Sequence, residues 1–258
     1  MNRRHVLTGA LALAAASSLA LSGCGSEAER RTFPVEVAAT IPTTANEKGW
    51  TVTLESAHVS IGPVRFFNGR VLLSQRAPRF NFDWYSLIGG TAQAHPGHYV
   101  AGDALGEVLT VSTVNLLTGA PLGDASAVTG EYGSLEVTLA APTASTDATG
   151  VLGGHAVRLK GTARNADGGT VRFDAVADLP APVAGVRFEK SLGMEAGRVR
   201  IAVDLGTWLG RIDFATATDP DADGIYTFPA DSQARNALVR GVEDTTSYVV
   251  TWEEGAAQ

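Results

Sequence analysis

The chain has 258 residues, 45% of them hydrophobic and 18% charged. That is enough apolar material for a full core, and one domain is the default at this size for an all-β protein. With 20 basic against 27 acidic side chains the formal charge is −7, which argues against nucleic acid or an anionic lipid surface as an electrostatic partner.

The chain opens on Met1-Asn2-Arg3-Arg4-His5, a short positive segment, followed by an Ala- and Leu-rich stretch from Val6 to Leu21 and then Leu21-Ser22-Gly23-Cys24. A basic start, a short apolar run and small residues at its end describe a cleaved export signal over residues 1–23. The last four residues resemble the bacterial lipobox. That resemblance implies diacylglycerol on the thiol of Cys24, cleavage before it, and a membrane partner reached through the lipid. Each buried acyl CH2 contributes about 0.8 kcal/mol to such an anchor. Arg3-Arg4-His5-Val6-Leu7 also resembles the twin-arginine export motif, although the usual aromatic and lysine are missing. Gly25 beside Cys24, where an Asp would retain the protein at the inner membrane by the family's rule, favours outer-membrane sorting. The expected location is the cell envelope, facing the periplasm or the exterior.

Cys24 is the only cysteine, so the mature domain is expected to hold neither a disulfide nor a thiolate metal ligand. Cleavage would remove two arginines and no acid, leaving 18 basic and 27 acidic side chains, a charge of −9. Residues 24–34 are polar and read as the lipidated Cys with its tether, and residues 35–258 as the folded domain.

Beyond the tether, apolar residues alternate in short runs rich in Val, Thr and aromatic residues, separated by turn residues. The strands expected are 35–39, 50–61, 64–67, 71–74, 107–116, 134–140, 155–163, 170–177, 183–189, 198–205 and 247–252. Asn165-Ala166-Asp167-Gly168-Gly169 supplies the residues a hairpin loop needs. One late helix is predicted. Asp231 or Ser232 caps it, Ala234, Ala237, Leu238 and Val242 share one side, and Gly241 marks where it weakens. The pattern predicts an all-β domain, an antiparallel β-sandwich of roughly 8–11 short strands with one late helix.

Four histidines follow the signal: His58, His95, His98 and His155. Pro96-Gly97 between His95 and His98 fits the centre of a type II turn, which brings its outer residues within about 7 Å. Two imidazoles so held can converge on one ion at the roughly 2.0–2.1 Å that zinc requires. His155, expected to open a strand on the face of Val157 and Leu159, and His58, reached through a bulge near Ser56 or Ala57, would complete the set. Asp103 and Glu107 are further metal candidates, as ligands or as acceptors behind them. Imidazole with an optional carboxylate suits Zn(II) or Cu(II). The same residues also fit a plain surface turn and two core-edge histidines with backbone partners. With no general base evident beside an open metal position, capture, storage or delivery of the metal is expected rather than catalysis.

Asp219-Pro220-Asp221-Ala222-Asp223-Gly224 resembles the first half of a calcium-binding EF-hand loop, yet position 12 is Ala230 and a β-like run follows. Asp219, Asp221 and Asp223 are thus a weaker Ca(II) candidate, with a solvated acidic hairpin as the competing reading. The aromatic stretch Arg79–Tyr85 fits either buried packing or an interaction patch. On the second reading the protein would be a metal-free adhesion or assembly module whose loop around Phe82 and Trp84 contacts an envelope protein or a glycan. No nucleophile elbow or phosphate-binding glycine pattern occurs, and no enzyme activity is expected.

Overall fold

The computed structural model describes residues 28–69, 100–217 and 220–255. The fold is all-β, as the alternation predicts. Among the described residues twelve strands share one hydrogen-bonded sheet, a connectivity that periodicity does not encode.

The axis of the sheet is β2 (Trp50–Phe67), with β7 (Val157–Asn165) and then β6 (Gly130–Leu139) along one edge, and β4 (Ser112–Asn115) and β3 (Ala104–Val108) along the other. One arm continues through β8 (Thr170–Ala177) to the short β11 (Ile225–Thr227). A second ends at β9 (Val183–Leu192), paired to β6. The third runs through β5 (Ala120–Val128), β1 (Arg30–Thr40) and β10 (Gly197–Asp204) to β12 (Tyr248–Glu254). Most pairs are antiparallel; β1–β10 and β8–β11 are parallel. The sheet curls until its edge strands β9 and β12 meet, with Lys190 Nζ 3.8 Å from Glu254 Oε1.

Inside this curl Phe33, Phe66, Tyr132 and Phe188 pack edge to face at 5.5–6.4 Å between centroids, the arrangement that aromatic quadrupoles favour. A second group, Trp50, Phe173, Phe214 and Phe228, fills the space under the C-terminal segment. That segment carries the expected late helix, α2 (Gln233–Glu243), and a five-residue helix, α1 (Leu205–Leu209). Ser232 Oγ accepts from the Arg235 amide and caps α2, while Ala234, Ala237, Leu238 and Val242 are buried, as expected.

Four differences from the sequence reading have physical causes. β1 begins at Arg30 rather than Val35, because Arg31 and Phe33 turn inward and alternate with exposed neighbours. The expected strand 107–116 is split between β3 and β4. β5 was not expected, since its buried Leu122, Ala125 and Ala127 are broken by a register shift opposite Val35 and Glu36. Gly241 does not weaken α2. It lies buried where a Cβ would come within 2.7 Å of the Trp208 backbone, so it permits α1 and α2 to touch.

Candidate functional site

His155 lies two residues ahead of β7, at the end of a turn in which its amide donates to the Leu152 carbonyl. It does not share the buried face of Val157 and Leu159, because the strand has not yet begun; its side chain is 36% exposed. Its Nδ1 is 2.7 Å from Asp178 Oδ2, just past the end of β8. The same carboxylate accepts from the Ala156 amide at 3.0 Å and from Arg235 Nη2, on α2, at 3.1 Å. Burial alone would raise the pKa of Asp178. The His155 and Ala156 hydrogen bonds, with the charges of His155 and Arg235, outweigh it and hold the carboxyl below the usual range. An ionised Asp178 only accepts, so the Nδ1–H of His155 points at it and Nε2, across the ring, is turned away from the carboxylate. A carboxylate behind an imidazole in this way fixes ring and tautomer for a metal ligand.

The expected bulge in β2 is present, as a register shift between Leu54 and Ser56 opposite β7. It moves Ala57, Val59 and Ile61 into the core after Trp50 and Val52 and turns His58 to the other face. There His58 stands opposite Arg158 and near Lys160. Burial lowers its pKa first; the two cations add to that, and the charge of Asp147 opposes them. Arg158 is bound through Nε to Asp174 Oδ1 at 2.8 Å and through Nη2 to Oδ2 at 2.6 Å, with Lys160 Nζ at 3.4 Å from Asp174 Oδ2. The neutral ring of His58 could ligate, but two neighbouring cations oppose a dication beside it.

His95 and His98 lie outside the described residues, as do Cys24, the aromatic stretch 79–85 and Asp219. The chain on either side of 70–99 is fixed at one place: the Gly69 amide donates to the Ala101 carbonyl, and Asn68 exchanges hydrogen bonds with Asp103. Asp103 is engaged there. Glu107 instead faces Arg65 across the β2–β3 pair, Oε2 to Nε 3.9 Å. This junction is at the Phe67 end of β2, and His58 lies nine residues back along the strand, roughly 30 Å by strand rise. Asp221 Oδ1 accepts from the Asp223 and Ile225 amides at 2.9 Å each, closing the turn into β11. Among the described residues no three His, Cys, Asp or Glu side chains are grouped to hold a metal.

Asp178 and Arg235 were missed by the sequence reading. Asp178 lies 23 residues from His155 and Arg235 another 57 on, separations at which spacing carries no signal. A cleft of about 430 Å3 between the loop after β1, α1 and α2 was also unforeseen. Its carboxylates are largely committed. Asp204 caps α1 through the Gly206 amide and Thr207 hydroxyl, Asp244 accepts from Thr246, and Glu47 pairs with Arg211. Comparison with protein-family models, curated proteins and solved structures finds no match.

Proposed function

We propose that this chain is a lipid-anchored protein of the bacterial cell envelope, held to the membrane through Cys24, that captures a divalent transition metal, Zn(II) or Cu(II). The ligands are His95 and His98 of the His-Pro-Gly-His sequence, with His155 as the third. The observation that carries the reading is the 2.7 Å contact of His155 Nδ1 with Asp178, which leaves Nε2 on the far side of the ring from the carboxylate and restricts the ring as metal-bound imidazoles are restricted. The surroundings favour His155 over His58, since Arg158 and Lys160 flank the latter. Capture or delivery fits better than catalysis, because the groups near His155 are a committed carboxylate and a guanidinium, neither free to act as a base on bound water.

The test is metal analysis and titration of the mature protein carrying no histidine tag. One equivalent of Zn(II) or Cu(II) is expected, abolished in the His95→Ala/His98→Ala double variant and unchanged in His58→Gln. Stoichiometric uptake by the double variant would overturn the assignment. The anchor is tested separately: Cys24→Ala should move the protein from the membrane fraction to the soluble one.

A further inference from the structure

β1 and β10 run parallel and end in register, with Thr40 beside Asp204. Beyond their carboxyl ends the chain leaves in two directions, into the 41–49 loop and into α1. Divergence of this kind opens a crevice at the ends of parallel strands, the position where open α/β sheets bind ligands. Here the crevice is the cleft of about 430 Å3, bordered on its third side by α2. Its size suits a small molecule.

Five charged side chains line the cleft, three acids and two arginines, so a simple anion gains little there. Three of the five are committed. Asp204 accepts from the Gly206 amide through Oδ1 and from the Thr207 hydroxyl through Oδ2, and Glu47 pairs with Arg211 at 3.6 Å. The other two are Arg240, in the last turn of α2, and Asp244, its C-cap. Side chains four apart on a helix have Cβ atoms about 5–6 Å apart, close enough to pair, yet these two do not. Arg240 is exposed and has neither an acceptor nor an ion-pair partner among the described residues. Asp244 accepts from the Thr246 amide and hydroxyl through Oδ1 alone, which leaves Oδ2 without a donor. One guanidinium and one carboxylate oxygen thus stand side by side at the cleft, each with capacity to spare. Trp50, Val52, Leu209 and Ala237 supply apolar lining beside them.

We propose that this cleft binds the zwitterion of a free α-amino acid with an apolar side chain. The ligand carboxylate accepts from the Arg240 guanidinium, a pairing that planar geometry favours. Its ammonium donates to Asp244 Oδ2, and its side chain lies against Trp50, Val52 and Leu209. Both ligand charges sit on one carbon, which matches two protein groups a single helical turn apart. Each residue added to make a peptide would move them roughly 3.5 Å further from one another. No proposed metal ligand lines the cleft, so the site is independent of the metal reading.

The experiment uses the mature chain carrying Cys24→Ser, so that no acyl chain contributes. Leucine and phenylalanine are titrated at low salt while the amide resonances of Gly210, Gly241 and Thr246, all in the cleft wall, are followed by NMR. Saturable shifts are expected with at least one of the two. Arg240→Gln removes no described contact and should weaken the affinity at least tenfold with the melting temperature unchanged. Asp244→Asn should weaken it as much while still accepting from the Thr246 amide. Leucinamide, which lacks the carboxylate, and N-acetylleucine, which lacks the ammonium, should each bind at least tenfold more weakly than leucine. No saturable shift with either amino acid, or an affinity that Arg240→Gln leaves unchanged, would overturn the site. N-acetylleucine binding as tightly as leucine would overturn the zwitterion.

Discussion

His58 on β2 and Arg158 on β7 occupy directly opposed positions of the sheet, on the face turned away from the core. Residues so paired have Cβ atoms about 5 Å apart, so an imidazolium would sit beside a guanidinium. Burial, then the charges of Lys160 and Arg158, lower the pKa of His58 in spite of Asp147. In the unfolded chain the ring titrates near 6.5. Below that value the unfolded state binds a proton that the folded state resists, so stability falls as pH falls through about 6.5. His58→Gln should flatten the dependence of unfolding free energy on pH between about 7 and 5. Equal slopes in variant and parent, measured by urea denaturation, would show that His58 does not titrate against these cations.

The Arg158–Asp174 pair gives a second, more acidic dependence. Burial disfavours the Asp174 carboxylate, but the hydrogen bonds and charge of Arg158, with Lys160, more than offset this and lower its pKa. A carboxyl lowered in the folded state stabilises it fully above the unfolded pKa, near 3.9, and loses that contribution as pH falls through the folded value. The Asp174 side chain is 16% exposed and that of Arg158 25%, so screening is partial. Asp174→Asn should cost about 2 kcal/mol at pH 7, as for a charge-assisted hydrogen bond. The gap between variant and parent should narrow below about pH 4. Denaturant midpoints at pH 7 and pH 3 measure it.

Gly241 presents a steric test. Its missing Cβ would come within 2.7 Å of Trp208 Cα and of the Trp208 carbonyl oxygen, and both belong to backbone that cannot rotate away. Alanine is the better helix former by about 1 kcal/mol, so an exposed Gly→Ala change on α2 would stabilise. Here the clash should dominate, and Gly241→Ala should destabilise by about 1–3 kcal/mol, as overpacking does. An unchanged or higher melting temperature would mean that α1 and α2 can separate freely.

What the sequence disclosed follows from which signals are local. Alternation placed β8 at its observed ends, Ser232 and the buried face of α2 were readable from capping and 3.6-residue periodicity, and the competing faces of β2 required the bulge found after Leu54. Asn165 and Gly168 formed the expected turn, with Gly168 at φ 84° and the Gly169 amide bound to Asn165 Oδ1. The parallel pairing of β1 with β10 was not legible, because partners 164 residues apart leave no periodic trace. Nor was Asp178 behind His155, or the inward turn of Arg31, which looked like tether because charged residues usually mark solvated chain.

Asp178 is the residue on which the metal reading can be tested without touching a ligand. It accepts from His155, from the Ala156 amide and from Arg235. Asp178→Asn keeps the side-chain shape while removing its charge, so the His155 ring faces a neutral amide, which can donate as well as accept, in place of a carboxylate that only accepts and fixes the tautomer. If His155 ligates through Nε2, affinity for Zn(II) should fall about 10- to 100-fold, the usual cost of losing such a partner, with stoichiometry unchanged. His155→Ala should cost at least as much, and the Asp178→Asn/His155→Ala double variant no more than His155→Ala alone, since Asp178 acts only through that ring. Additive losses in the double variant would place Asp178 in some other role. An unaltered affinity in both single variants would remove His155 from the site and leave His95 and His98 to find a different third ligand.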